Sequence, residues 1–389
     1  MLNVFIFGIV SLLADFSSEM VFPILPFFIK SLGGAGIAIG FIFGMGDAVA
    51  AIFKVVSGRW ADKTKKYKLF VFWGYLFSAL AKFFYPFSQV WQHIAVFRPI
   101  ERIGKGFRDA PRDAILSESL PSSQRGKAFG IQRAMDSAGA LFGSFAVLIF
   151  IFYFNFSFKT IFMISAIIAL FAVLPIFFVK TPENLKLNIK KIDFYGLSPK
   201  IKKFIFVSTL FSLSNFSYAF FILQTQKFFG NLNYKEALSL AIILYIFLNI
   251  FDAGFSTFAG SLSDRIGRKK VIFASYLMLS GIFAGFFIFS FFNLGNFISF
   301  FILFALFAFY GLFRAFSDSS QKSLVSDLSD AQMRGTALGT FETFVGLASI
   351  PAGLIAGALW NLGTHYAFFY GFILSLISSI IFAVVIKEK

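Results

Sequence analysis

Gly58-Arg59-Trp60-Ala61-Asp62-Lys63-Thr64-Lys65-Lys66 and Gly260-Ser261-Leu262-Ser263-Asp264-Arg265-Ile266-Gly267-Arg268-Lys269 are two copies of one pattern: a glycine, an aspartate four residues on, then a cluster of basic residues. Each copy closes a long apolar run and opens another. A second pair, Arg125-Gly126-Lys127-Ala128-Phe129-Gly130 and Arg334-Gly335-Thr336-Ala337-Leu338-Gly339, stands 63 residues after Asp62 and 70 after Asp264. Two motifs in the same order at near-equal spacing make the chain an internal repeat. Its halves are residues 1–179 and 204–389, joined by a basic linker over 180–203.

The composition agrees with apolar repeats. Of 389 residues, 58% are hydrophobic, 63 are Phe, 14% are charged and none is Cys. A soluble globular chain carries about 25% charged residues, so that class is excluded, together with disordered, collagen-like and coiled-coil chains. A membrane helix takes roughly 20 mostly apolar residues. Twelve such spans are expected, near 3–29, 36–60, 69–90, 92–112, 127–153, 158–179, 204–226, 236–260, 271–292, 297–320, 335–360 and 365–386. The fold class is therefore an all-α membrane protein of two six-helix bundles. The first apolar run has no basic segment before it and outlasts a signal peptide, so it reads as a span.

Placement of the charges gives the orientation. Lys63, Lys65, Lys66 and Lys68, then Arg265, Arg268, Lys269 and Lys270, the lysines of the linker, and Lys387 and Lys389 all fall on one side if the N-terminus is cytoplasmic. Both termini are then expected inside a cytoplasmic (inner) membrane. The net charge of +16 is an orientation signal, and the expected surroundings are lipid bilayer, with no nucleic acid. Without Cys there is no disulfide framework, thiolate metal site or Cys nucleophile. His93 and His365 alone do not make a zinc centre, so neither metal nor cofactor is expected. No G-x-x-x-x-G-K-(S/T) occurs, which removes ATP-driven export. No serine nucleophile motif has a histidine partner, and an enzyme is not expected.

On these motifs the chain resembles the major facilitator superfamily. Gly260, Asp264, Arg265, Gly267, Arg268 and Lys269 match the family's loop signature closely, whereas the first copy has Lys63 and Lys65 at positions of an Arg and a Gly. The resemblance implies two pseudo-symmetric bundles that rock around a central cavity, moving a small-molecule substrate with protons or another coupling ion. It implies that the loop groups Gly58, Asp62, Lys63, Lys66, Gly260, Asp264, Arg265 and Arg268 act as a conformational gate. The residues themselves support close helix approach at the two glycines and a carboxylate at a neighbouring helix N-terminus. The run G-K-G-x-R-D-A-P-R-D from Gly104 also resembles a poorly characterised bacterial and archaeal subgroup of the family.

Charge inside a membrane costs roughly 2.5–3.5 kcal/mol per residue at the centre and so marks function. Asp15 and Glu19 are four apart on one helical face, as a proton- or ion-coupling pair would be. Arg98, Arg102, Lys105, Arg108 or Asp109, and Arg112 form a charged stripe on span four, with Glu101 and Asp113 beside it. Arg98, Glu101 and Asp47 join the coupling group, Arg98 by resemblance to the family's fourth-span arginine. Arg102 and Lys105 suit an anionic group, and Lys54, seven residues from Asp47, shares its face. Arg108, Asp109, Arg112 and Asp113 are expected at the inner surface as an ion-pair network, with Glu342 there too. Asp136 stands before Gly139 and Gly143, a close-packing motif that partly resembles the family's antiporter motif and favours efflux. Asn215, Tyr218, Asn249 and Asp252 are the polar wall of the second half.

The expected protein is a monomeric, proton-coupled secondary transporter of a small amphipathic or drug-like solute. The stripe of span four leaves a small organic anion as the alternative substrate, and a non-transporting membrane sensor is the remaining class.

Overall fold

A computed structural model of the chain describes residues 1–121, 124–181, 196–292, 294–330 and 333–386, with backbone only at 125 and 126. Most of the linker, including Lys186, Lys190 and Lys191, and the terminal Lys387 and Lys389 lie outside the described residues. The helices are α1 (Leu2–Val21), α2 (Leu25–Ser31), α3 (Gly36–Thr64), α4 (Tyr67–Phe83), α5 (Trp91–Ser117), α6 (Arg125–Phe152) and α7 (Phe158–Phe171), followed by α8 (Pro199–Ser214), α9 (Ala219–Phe228), α10 (Tyr234–Ile266), α11 (Arg268–Phe289), α12 (Asn296–Asp327), α13 (Arg334–Leu362) and α14 (Thr364–Val385). No strand occurs among the described residues. Apolar runs in lipid must satisfy their own backbone, and helices do so within each run.

Eleven spans among the described residues are long and apolar enough to cross a membrane. The twelfth expected span, α5, is 27 residues long, about 40 Å, and falls short in composition alone because it carries the charged stripe.

Two spans are not single helices. The first breaks after Val21, where Pro23 supplies no N–H, and resumes as α2. The seventh breaks at Asn215–Tyr218 without a proline. There Ser214 Oγ donates to the Phe211 carbonyl at 2.6 Å and the Ala219 N–H donates to Ser217 Oγ at 3.2 Å. Short polar side chains thus offer the backbone an alternative to the helix. The opening spans of both halves are therefore interrupted.

The chain forms two compact units, Met1–Gly34 with Met45–Lys190, and Ala35–Gly44 with Lys191–Lys389. In the first, α1 packs on α6 and α7, and α4 on α5 and α7. A Cβ on Gly139 or Gly143 would lie 2.3 Å from the carbonyl oxygen of Leu12 or Phe16, so the glycine pair brings α6 onto α1 as its spacing indicates. In the second unit α10 packs on α12, α11 on α12 and α14, and α8 on α13 and α14.

One crossing is repeated between the units. A Cβ on Gly106 of α5 would meet Ala50 O, Phe53 Cβ and Lys54 N of α3. A Cβ on Gly311 of α12 would meet Leu248 O, Phe251 Cβ and Asp252 N of α10. Measured from these crossings the halves differ. Asp62 is nine residues beyond Phe53, and Asp264 is thirteen beyond Phe251. Arg125 is nineteen beyond Gly106, and Arg334 is twenty-three beyond Gly311. Each long helix of the second unit has one extra turn on its loop side, about 6 Å.

The loop motifs also differ. Gly267 has φ +98°, and Lys65, at the matching place, has φ +59°. The first copy thus keeps the left-handed turn without the glycine, at a cost of about 1–2 kcal/mol. The close approach expected at Gly260 is not found: a Cβ there would meet nothing within 4 Å, and the tight α10–α12 contact lies at Gly311.

Candidate functional site

Two glycines explain the position of α5. Residues two apart on a helix point about 200° apart. Gly104 accordingly faces α4, where its Cβ would lie 2.5 Å from Gly74 O and Ser78 Oγ, and Gly106 faces α3. α5 is clasped between two neighbours at backbone distance, and Lys105, half-buried between the glycines, lies within electrostatic reach of Asp15 and Asp109.

Next to this clasp is a buried ionic network. Arg98 Nη1 and Glu101 Oε2 are 2.5 Å apart, and the Tyr85 hydroxyl donates to the same oxygen at 2.6 Å. Arg98, Glu101 and Tyr85 are all buried. Ser78 Oγ donates to the Glu101 carbonyl at 2.8 Å. Lys82, 2% exposed on α4, donates to Ser17 Oγ at 2.8 Å and Ser18 Oγ at 3.0 Å on α1. Ser17 in turn exchanges hydroxyl-to-carbonyl bonds of 2.8 Å with Ser165 of α7. Neither Lys82 nor Tyr85 was expected from the sequence. Their signal was the three- and four-residue spacing of Ser78, Lys82 and Tyr85, which places three polar groups on one face of an apolar run.

This anchoring orients α1. Ser17 points into the α4–α7 side, and Asp15 and Glu19, partly exposed and each two residues from it, share the opposite face of α1. Arg102 is ion-paired with Asp47 of α3. Asp136 of α6 is half-buried, within electrostatic reach of Asp15, and its Oδ1 has no hydrogen-bond partner among the described residues.

At the far end of α5 the expected ion-pair network is present. Arg112 lies 3.0 Å from Asp113 and 3.9 Å from Asp109, Arg108 lies 3.8 Å from Asp109, and the Arg108 guanidinium sits 4.0 Å over the Tyr75 ring.

The second unit holds its own charged pair. Arg314 Nη2 of α12 is 3.2 Å from Asp252 Oδ2 of α10, and its guanidinium lies 5.3 Å from the Tyr218 ring. Tyr218 stacks on Tyr245 at 5.8 Å and meets Tyr310 at 6.0 Å. The Tyr310 hydroxyl donates to Asn215 Oδ1 at 3.4 Å. Asn249 Nδ2 is buried without a hydrogen-bond partner among the described residues. Asn215 and Tyr218 flank the break between α8 and α9, so the broken helix, the ion pair and the tyrosines form one cluster. Tyr245 and Tyr310 were missed because tyrosine in a Phe-rich span reads as packing.

The residues expected to form a gate fall into two arrangements. In the first unit Asp62 accepts from the Tyr67 hydroxyl at 2.6 Å, while Lys63 and Lys66 are exposed. In the second, Arg268 bridges Asp264 at 3.2 Å and Asp327 of α12, and Arg265 is exposed. Asp327 was not anticipated. Glu342 of α13 is 3.5 Å from Lys322 of α12.

Comparison with known proteins follows the same lines. The Major Facilitator Superfamily model matches residues 7–294 and 205–389. An uncharacterized MFS-type transporter of Methanocaldococcus jannaschii is 44% identical over 382 residues, 97% of this chain and 94% of the relative. In fold the chain is similar to the nucleoside transporter NupG, with a TM-score of 0.81, 17% identity and both chains covered in full. It is also similar to a D-xylose-proton symporter, with a TM-score of 0.75, 13% identity and coverage of 99% and 97%. A family model that matches nearly the whole chain and a relative of the same length place this multi-pass membrane protein among transporters and not enzymes: the chain belongs to the major facilitator superfamily.

Proposed function

We propose that the chain is a proton-coupled secondary transporter of a small, neutral, amphipathic solute, with the second unit supplying its main recognition groups. One observation carries this reading: the break between α8 and α9 delivers Asn215 and Tyr218 to the Asp252–Arg314 pair and the tyrosines around it. Interrupted helices in corresponding places of two repeats point to binding sites in transporters. Aromatic rings, two amides and an internally neutralised ion pair suit a solute with a flat apolar face and several hydroxyl or amide groups. Two fold neighbours, a nucleoside transporter and a D-xylose-proton symporter, take solutes of that chemistry.

The organic-anion reading ranks second because Arg98, Arg102 and Arg112 each have a carboxylate partner inside the first unit. Proton coupling is assigned to Asp15 and Glu19, partly exposed on α1, with Asp136 in electrostatic reach. The cytoplasmic membrane, with both termini inside, follows from the basic loops, and antiport driven by an inward proton gradient would give efflux.

Thermal-shift measurements at pH 5.5 and 8 with a nucleoside, a pentose, a lipophilic cation and a dicarboxylate test this, since ligands stabilise the state they bind. A neutral ligand is expected to raise the melting temperature, with the rise abolished by Asn249→Ala and its pH dependence removed by Asp15→Asn with Glu19→Gln. Stabilisation by the dicarboxylate alone, or a ligand effect indifferent to pH in the wild type, overturns the reading.

A further inference from the structure

A cleft of about 480 Å³ lies in the first unit, between the start of α4 and the turn after α7. Its rim is basic, formed by Lys65, Lys66 and Lys68, and its floor is apolar, with Leu69, Phe72 and Phe177. Lys68 Nζ donates to the Phe177 carbonyl at 2.7 Å and so ties the two walls together. Among the described residues none of the three lysines is ion-paired to a carboxylate. Leu69 and Phe177 are 47% and 59% exposed on a chain that lives in lipid.

We propose that this cleft binds one anionic phospholipid, with the phosphate among Lys65, Lys66 and Lys68 and an acyl chain along Leu69, Phe72 and Phe177. A soluble anion would leave the apolar floor wet, and a zwitterionic lipid would bring its own cation to three lysines that already repel one another. Lys65 adds an independent argument. It occupies a left-handed backbone position where the second half has Gly267, so a strained cation stands where an unstrained glycine serves the other copy. Backbone strain that is retained points to a use for the side chain. In the second half's loop Arg268, at the position of Lys66, is instead engaged by Asp264 and Asp327.

Native mass spectrometry of the full chain, released from micelles containing dioleoyl-phosphatidylglycerol or dioleoyl-phosphatidylcholine, reads the site directly. One retained phosphatidylglycerol is expected and no phosphatidylcholine. Basic residues contribute about fivefold each to attraction at an anionic surface, so the triple change Lys65→Gln, Lys66→Gln and Lys68→Gln should lower retention about a hundredfold. A charge-matched control, Arg265→Gln, Lys269→Gln and Lys270→Gln, should leave it unchanged. Lys65→Gly keeps the case testable if multiple variants fold poorly, because it relieves the strained turn. It should raise the melting temperature and still cut retention about fivefold. Equal losses in both triple variants would reduce the effect to diffuse attraction. Equal retention of phosphatidylcholine would leave an apolar groove only, and equal retention of glycerol phosphate, supplied in place of lipid in a parallel sample, would make it a headgroup site without a lipid. No lipid adduct would mean the chain itself fills the cleft. Each of these four results overturns the proposal.

Discussion

Lys82 shows how the cost of a buried charge is distributed. It shares the Glu101 carboxylate with Arg98, lies within electrostatic reach of Asp15 as well, and reaches α1 through two hydroxyls. Removing Glu101 takes the nearest counter-charge from two cations, whereas removing the lysine leaves a matched pair. Breaking a buried ion pair from one side costs about 3–5 kcal/mol, while a hydrogen bond to a charged group is worth about 1.5–3 kcal/mol. Lys82→Met also sheds a desolvated ammonium, which offsets part of that loss. Glu101→Gln is therefore expected to lower the melting temperature in detergent well below that of Lys82→Met. A smaller effect for Glu101→Gln would mean that Lys82 and Arg98 are balanced by something else. The Arg98–Glu101 pair was legible in the sequence because its partners are three residues apart on one helix. Lys82 was not, because its partners Ser17 and Ser18 are on α1, more than sixty residues away, and a lone lysine in an apolar run reads as snorkelling toward the surface.

Among the elements, α5 depends most on residues without side chains. Gly104 and Gly106 bring it within backbone contact of α4 and α3, which is also what sets Lys105 and the ion pair of Arg102 with Asp47 in place. Gly104→Val and Gly106→Val should each reduce folded yield severely, because the new atoms meet main chain that cannot step aside. Gly254→Ala and Gly281→Ala meet open space and should be neutral or raise stability by up to about 1 kcal/mol through helix propensity. Size-exclusion yield and melting temperature check both. The sequence located these helices well, since apolar runs of span length admit little else in lipid. It read the glycines less well, because periodicity shows where a helix could be approached closely, not which neighbour does so. Gly260 is the clear case: the repeat pattern marked it for contact, and the close crossing falls at Gly311.

For the whole molecule, the central expectation is that the partly exposed polar groups Asp15, Glu19 and Asn249 meet water and the Phe-rich exterior meets lipid. A chain with no cysteine makes that measurable without background. Single cysteines at Asp15, Glu19 and Asn249 should react with a membrane-impermeant methanethiosulfonate, while those at Phe206, Ile380 and Val384, exposed apolar positions, should resist it in proteoliposomes. Reaction of the second set as fast as the first would mean that the surface assigned to lipid is wetted. The additional turn in α10 and α12 bears on any attempt to recombine the two halves. A loop grafted from one half to the other by motif alignment alone would arrive about 6 Å displaced and rotated by about 40° from its helix crossing. Functional chimeras must therefore transfer four residues in both helices along with the loop, and the halves, though descended from one pattern, are no longer interchangeable parts.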